Sequence, residues 1–93
     1  MLYNIIYELK NAERDYSTFF SALKTFSTSN QCMKNSWFVK TNKNKQEIYD
    51  NLKQHLDTSD LLLITQTSLT NLSGWLPIDS VNWLQEHSKD SLL

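Results

Sequence analysis

Glu8 is the residue in this chain whose type and position best suit chemistry. It follows Tyr3-Asn4-Ile5-Ile6-Tyr7, a run rich in β-forming residues that begins near the first position of the chain. So apolar a run is typical of a central strand that is buried on both faces. A carboxylate at the end of such a strand is held rigidly near the rim of the sheet, where we expect a candidate catalytic or metal-binding site.

Two further carboxylates and two histidines are weaker candidates. Asp57 and Asp60 are interpreted as helix-end and turn residues rather than as extra metal ligands. His55 lies close to a predicted helix C-terminus, where a cation is favoured, and no partner for general-base catalysis is evident from the sequence. His87 lies in the last predicted helical turn and carries less information still.

The candidate nucleophiles and base-stacking residues also have plainer interpretations. Cys32 is interpreted as a small core residue rather than a reactive thiol. Ser36 has no histidine near it in the sequence. The three tryptophans, Trp37, Trp75 and Trp83, are interpreted as core or interface anchors, because the basic-glycine-aromatic run of RNA-recognition motifs is missing.

Composition limits the classes of function. The 93 residues predict one domain, residues 1–93, and the single glycine leaves no glycine-rich loop for phosphates. A formal charge of −1 gives no general attraction to nucleic acid. One cysteine excludes a disulfide framework and fits a reducing cytoplasm. No stretch approaches 18 apolar residues and no signal-peptide pattern is present, so we expect a cytoplasmic protein without a membrane partner.

The first half of the chain predicts a strand, a helix and a further strand or hairpin. The strand runs from about Leu2 to Leu9, and Asp15 can cap the helix after it. One helical face is marked by Tyr16, Phe19, Phe20, Leu23 and Phe26. Ser27-Thr28-Ser29-Asn30 predicts a turn. In residues 31–41, the polar Lys34-Asn35-Ser36 is either a bulge in one long strand or the tip of a hairpin.

The second half predicts a helix, an inner strand, a short strand and a last helix. Asn44 and Glu47 have the spacing of a capping box. The buried helical face after them is marked by Ile48, Tyr49, Leu52 and Leu56. The apolar run Leu61–Thr65 predicts another inner strand, and a short strand is expected within 72–77.

The last predicted helix follows Pro77. A cap at Asp79 or Ser80 would begin it, and Val81, Trp83 and Leu84 lie along it. The tail from Ser88 is expected to fray.

This order of elements predicts an α+β fold, the ferredoxin-like split β-α-β sandwich. Its antiparallel sheet carries two helices on one face, and here a short C-terminal helix is added. A chain of this length cannot readily cover the other sheet face, so we expect a homodimer that buries this face or pairs sheet edges. The interface candidates are Tyr3, Tyr7, Trp37 and Trp75.

Several short motifs together resemble one family. They are Tyr7-Glu8-Leu9-Lys10-Asn11, Asp15-Tyr16-Ser17, Trp37-Phe38-Val39-Lys40-Thr41, Leu52-Lys53-x-x-Leu56-Asp57-x-x-Asp60 and Gly74-Trp75-Leu76-Pro77. With these motifs the chain resembles the small bacterial SinR-like hypothetical proteins over nearly its whole length. That family looks related to the CRISPR-associated adaptation subunit, the second Cas protein, and more distantly to virulence-associated protein D.

The resemblance implies a dimeric ferredoxin-like protein with its acid at the end of strand one. In the adaptation family a Tyr-Asp pair stands there, and the dimer brings two acids together around a divalent metal. Tyr7-Glu8 takes that place here, and Ser36-Trp37-Phe38 resembles the second family motif. The extra methylene of Glu8 moves its carboxylate by about 1.5 Å, which matters for a metal site.

Two functions are therefore expected. The first is a non-catalytic dimeric scaffold or interaction module of the CRISPR-adaptation or SinR-like type, touching nucleic acid or another protein. The alternative is a metal-dependent endonuclease or toxin-type ribonuclease that uses paired Glu8 carboxylates as catalytic groups and as ligands of Mg²⁺ or Mn²⁺. Lys10 and Arg14 are the candidate nucleic-acid contacts in either case.

Overall fold

The sheet is built around the first strand, as its sequence predicts. The computed structural model describes residues 1–87, so the expectation for the tail from Ser88 lies outside the described residues. The elements are β1 (Leu2–Glu8), α1 (Ser17–Lys24), β2 (Thr28–Met33), β3 (Ser36–Lys40), α2 (Lys45–Lys53), β4 (Leu61–Thr67), a 3₁₀ turn (Leu69–Asn71) and α3 (Ile78–His87). The antiparallel sheet has the order β2-β3-β1-β4, which is the ferredoxin-like α+β arrangement.

β1 is one of the two inner strands, because it pairs with β3 on one side and with β4 on the other. Ile5, for example, lies opposite Trp37 of β3 and Ile64 of β4. The prediction that β1 is buried on both faces is correct only for the start of the strand. Leu2 is buried on the second face, whereas Ile6 is 42% exposed there.

The helices α1 and α2 cover one face of the sheet. The apolar stripe of α1 and the predicted Ile48 and Leu52 of α2 pack against alternate residues of β1 and β3. The buried members of this cluster are Tyr3, Ile5, Tyr7, Phe19, Ala22, Leu23, Phe26, Trp37, Val39, Ile48 and Leu52. Each large apolar side chain that is fully buried contributes roughly 1.5–3 kcal/mol to folding. Tyr49 is an exception to the predicted stripe, since it is 43% exposed.

The region between α1 and β3 is a hairpin, which decides between the two interpretations of residues 31–41. Lys34 and Asn35 form its turn, and a register shift between Gln31 and Met33 adds a bulge to β2. The turn expected over residues 27–30 is wrong at Thr28–Asn30, which belong to β2. Pairing with β3 outweighs their local turn preference.

β4 is an edge strand, so the prediction of a second inner strand is wrong. The apolar run divides between the two faces of the sheet: Leu62 and Ile64 are half-buried against the helix-side core. Leu61 and Leu63 point to the opposite face and are 52% and 60% exposed. A continuous apolar run therefore does not distinguish an inner strand from an edge strand that has one exposed face.

The segment between β4 and α3 contains no strand, in contrast to the expectation for residues 72–77. A 3₁₀ turn over Leu69–Asn71 is followed by irregular backbone. Helix α3 begins at Ile78, so neither Asp79 nor Ser80 is its cap. The Pro77 carbonyl accepts the N–H groups of Ser80 and Val81, which places proline directly before the first turn.

Helix α3 covers part of the second sheet face. Leu84 packs with Leu2, Cys32 and Phe38 in a separate buried cluster. The Trp83 ring stacks on Phe38 with 6.5 Å between ring centres, and its Nε1–H donates to Thr28 Oγ1 at 3.1 Å. Within the described residues, no helix combines the length and the apolar character needed to cross a membrane.

Helix α2 begins with the predicted capping box. Asn44 Oδ1 accepts the Glu47 N–H at 2.9 Å, and Glu47 Oε1 accepts the Asn44 N–H at 3.1 Å. Both donors belong to the helix terminus and would otherwise have no intrahelical partner.

We expect Asn44→Ala to lower the free energy of unfolding by about 1 kcal/mol, because the substitution removes one half of the box. Urea unfolding followed by far-UV circular dichroism measures this change. The matched control is Asn42→Ala, at an exposed asparagine just before the helix. Equal effects of the two substitutions would contradict a specific capping role.

Candidate functional site

Glu8 lies where the sequence predicts it, at the last position of β1 and on the sheet rim. It pairs with Leu61, the first residue of β4, on the face opposite to α1 and α2. Its side chain is exposed and makes no hydrogen bond or ion pair within residues 1–87. The carboxylate is therefore accessible, but it is not held in place by other side chains of the same copy.

The residues around Glu8 do not form a metal site in one copy of the chain. Among the described residues, no group of three or more His, Cys, Asp or Glu side chains is placed to hold a metal ion. Divalent cations such as Mg²⁺ need several oxygen ligands, usually from one or two carboxylates with water and substrate. The Mg²⁺ or Mn²⁺ expectation thus requires a second carboxylate from outside one copy.

Beside Glu8, part of the sheet surface is apolar and uncovered. Ile6 of β1 lies opposite Ser36 of β3 and Leu63 of β4, and Ser36 lies opposite Met33 of β2. These cross-strand neighbours form a row across all four strands, roughly 14 Å long at about 4.8 Å per strand. We call Ile6, Met33, Leu61 and Leu63 the open-face patch; their exposed fractions are 42%, 56%, 52% and 60%.

Three of the four interface candidates belong to the core. Tyr3, Tyr7 and Trp37 are 1%, 3% and 5% exposed, so their side chains offer no surface to a second copy. The Trp37 Nε1–H donates to the Tyr7 hydroxyl at 3.0 Å, and that hydroxyl donates to the Lys34 carbonyl at 3.3 Å. Burial raises the pKa of Tyr7 by more than the Trp37 hydrogen bond lowers it. Trp75 is 99% exposed and stays an interface candidate.

Lys10 and Arg14 lie in the loop after β1 and have exposed side chains. The Arg14 guanidinium carbon lies 5.8 Å from the centre of the Tyr16 ring, a cation–π contact. The same loop and the adjacent loop before β4 carry the carboxylates Glu13, Asp15, Asp57 and Asp60. With more acids than bases in these loops, the two residues do not form the basic patch on which phosphate binding depends.

Asp57 and Asp60 organise this rim, a role that the sequence indicated only as turn residues. Asp60 Oδ1 accepts the Lys10 N–H and the Tyr16 hydroxyl, both at 2.8 Å, and its Oδ2 accepts the Asp57 N–H at 2.8 Å. Asp57 Oδ2 accepts the Asn11 side-chain amide at 3.0 Å. These bonds tie the loop after β1 to the loop before β4, and they fix the backbone that follows Glu8.

The protonation of Asp60 reflects these contacts. Desolvation raises its pKa, but the N–H donors of Lys10 and Asp57, the Tyr16 hydroxyl and the Arg14 charge together hold the pKa below its usual value. For Tyr16, burial and the hydrogen bond to Asp60 raise the pKa of the hydroxyl. The rim network therefore favours the charged form of the Asp60 carboxylate and the neutral form of the Tyr16 hydroxyl.

The other reactive side chains have structural partners. The Cys32 thiol is buried and lies 3.3 Å from the Ser36 carbonyl oxygen, as expected for a core cysteine. Ser36 Oγ accepts the Asn4 side-chain amide at 2.9 Å. His87 Nδ1 lies 2.9 Å from the Trp83 carbonyl oxygen, and His55 is half-buried at the end of α2.

A cavity of about 460 Å³ lies next to the open-face patch, between the sheet and the segment that leads to α3. Phe38, Leu72, Leu76, Val81 and Leu84 supply most of its apolar wall. The sequence did not indicate it, because the cavity exists only once α3 has packed over one half of the sheet face.

Comparison with known proteins identifies no relative: no protein-family model, no curated protein and no solved structure matches this chain. The SinR-like and CRISPR-adaptation resemblance therefore stays a prediction.

We expect Asp60→Asn to lower the free energy of unfolding at pH 7 by about 1 kcal/mol. The two carboxylate oxygens of Asp60 accept three hydrogen bonds, whereas an amide has only one acceptor oxygen and no charge. The pKa of Asp60 is lower in the folded state, so its contribution is present above the unfolded-state pKa. It is lost as the pH falls through the folded-state pKa.

Urea unfolding between pH 3 and pH 7 measures this dependence. The difference between Asp60→Asn and the unsubstituted protein should shrink towards acid pH. Asp50→Asn removes the same charge from the exposed face of α2 and is the control. A difference that stays constant with pH would contradict the role of the charged carboxylate.

Proposed function

We propose that this protein is a dimeric interaction module of the CRISPR-adaptation or SinR-like type, which acts as a scaffold rather than as a catalyst. The open-face patch is the observation that supports the proposal. It places three large aliphatic side chains, Ile6, Leu61 and Leu63, at adjacent positions on one exposed surface. A contiguous exposed apolar patch marks an interaction site more often than an inert surface.

The sheet edges support the same proposal. Edge strands of monomeric proteins are usually protected by charges, proline, bulges or cover. β2 has a bulge, and α1 and α3 both contact it. β4 is contacted by α2 on its helix-side face, but it has seven residues in unbroken register with β1 and contains no charged residue and no proline. A second copy that covers the open-face patch next to β4 would also protect this edge.

The partner beyond a second copy is proposed to be protein rather than nucleic acid. The net charge is −1, and the basic candidates Lys10 and Arg14 lie among carboxylates. Affinity for nucleic acid depends on neutralising several phosphates, which this surface does not offer. A reducing cytoplasm belongs to the same proposal, because the only cysteine is a buried thiol.

We expect multi-angle light scattering at micromolar concentration to give about twice the 10.9 kDa monomer mass. Leu63→Glu should shift the protein to the monomer, because it places a charge within the open-face patch. Gln66→Glu adds a charge at an exposed position on the opposite face of the same strand, and it should leave the dimer intact. A monomeric unsubstituted protein would refute the dimer.

A metal-dependent endonuclease or toxin-type ribonuclease is the second candidate. The observation in its favour is the place of Glu8, which pairs with Leu61 at the edge of the open-face patch. A dimer formed across this patch would bring two copies of Glu8 towards each other, as the resemblance implies. One copy lacks a metal site, so this activity depends entirely on the dimer.

For this candidate we expect cleavage of labelled single- and double-stranded DNA or RNA in Mg²⁺ or Mn²⁺. The cleavage should be abolished by chelator and by Glu8→Gln, which keeps the size of the side chain but removes its charge. Glu13→Gln is the matched control in the neighbouring loop. Cleavage that survives Glu8→Gln would exclude Glu8 as the catalytic carboxylate, and the lack of any cleavage by a folded dimer favours the scaffold.

A further inference from the structure

Trp75 is the most exposed large apolar residue described in this chain. Its side chain is 99% exposed, so the indole makes almost no contact with its own copy. It lies in the irregular segment before α3 and next to Gly74, around which there is open space. Tryptophan has the largest apolar side chain and is enriched at the energetic centres of protein interfaces. Its full exposure leaves the indole free to contact another molecule.

Trp75 stands at the rim of the 460 Å³ cavity described above. The cavity lies within the roughly 300–1,000 Å³ that suits a group of several rings, so it is large enough for an indole. All of the described residues that line the cavity are uncharged, and its sheet side is formed by Asn4, Met33, Ser36 and Phe38. An uncharged aromatic group is the kind of occupant that this wall favours.

The floor of the cavity also offers polar contacts to an indole. The Asn4 amide nitrogen donates to Ser36 Oγ at 2.9 Å and to the Trp37 carbonyl at 3.0 Å. Both amide hydrogens are used, and the Asn4 side-chain oxygen has no hydrogen-bond donor within the described residues. An indole N–H is a donor only, so it matches this free acceptor.

We propose that Trp75 of each copy enters the cavity of the other copy in the homodimer. The proposal rests on the dimer of the proposed function and names the contact that holds it together. The protruding group and the cavity are neighbours on the same surface of each copy. A two-fold axis that passes between them makes both exchanges at once, as an isologous interface requires.

A second copy fits this surface better than the other occupants. The chain's own indole does not fill the cavity, since it is 99% exposed. The uncharged lining selects neither a basic nor an acidic peptide. Met33 belongs both to the cavity wall and to the open-face patch, so one copy can cover both. The formal charge of −1 per copy adds little repulsion between them.

Trp75→Ala tests the proposal. We expect this variant to fold, because the Trp75 side chain has almost no contacts within one copy. We expect the dimer dissociation constant, measured by sedimentation velocity over a dilution series, to rise at least about 30-fold. The matched control is Ile78→Ala, which removes a 69% exposed apolar side chain close by that does not line the cavity. Its dissociation constant should change less than about threefold.

A second measurement follows the indole itself. Subtracting the emission of the Trp75→Phe variant from that of the unsubstituted protein isolates the fluorescence of Trp75. In the dimer this emission should be blue-shifted and protected from acrylamide, and dilution to the monomer should reverse both effects. Trp37 is 5% exposed and should be protected from acrylamide in both states.

The outcomes separate this inference from the proposed function. A dimer that weakens with Trp75→Ala but not with Ile78→Ala, with Trp75 protected, supports both. A dimer whose dissociation constant is unchanged by Trp75→Ala, or whose Trp75 is freely quenched, overturns the exchange and leaves the dimer standing. An unsubstituted protein that is monomeric throughout the dilution series overturns the proposed function and this inference with it.

Discussion

The pairing of β1 with both β3 and β4 is the constraint on which the rest of the structure depends. Because side chains alternate along a strand, this one segment supplies the helix-side core and also the floor of the opposite surface. Tyr3, Ile5 and Tyr7 are buried under α1 and α2, whereas Asn4, Ile6 and Glu8 face the other way. The candidate site therefore lies on the sheet face opposite to the one that α1 and α2 cover.

Helix α3 divides this face into two unequal environments. Stacking of Trp83 on Phe38 and burial of Leu84 cover the end of the sheet where β1 begins. The other end keeps Ile6, Leu63 and the Glu8 carboxylate exposed. The cavity lies at the border between the two environments. Partial cover thus creates both the apolar surface and the recess into which a neighbouring group can fit.

The polar rim limits what Glu8 can do. Asp60 accepts hydrogen bonds from the Lys10 backbone and the Tyr16 hydroxyl, which fixes the chain directly after β1. The rim holds the backbone near Glu8, yet none of its side chains forms a hydrogen bond or ion pair with the Glu8 carboxylate within the described residues. Precise placement of that carboxylate, which metal chemistry demands, would have to come from a second copy.

The sequence by itself determined the fold class, the helix-side stripe of α1 and the capping box of α2. These features depend on residue periodicity or on local hydrogen bonds, which are encoded within a few neighbouring positions. Glu8 was located at the strand rim for the same reason. The exposed position of Trp75 is compatible with its prediction as an interface residue, although no local pattern indicates how exposed it is.

Only the tertiary structure decided which surfaces stay uncovered. The apolar run of β4 has the same residues whether the strand is central or at the edge, and strand order places it at the edge. Tyr3, Tyr7 and Trp37 carry aromatic rings that suit an interface or a core equally well, and packing against the helices made them core. The solvent exposure of a side chain depends on which distant segments pack against it, so a local sequence pattern does not predict it.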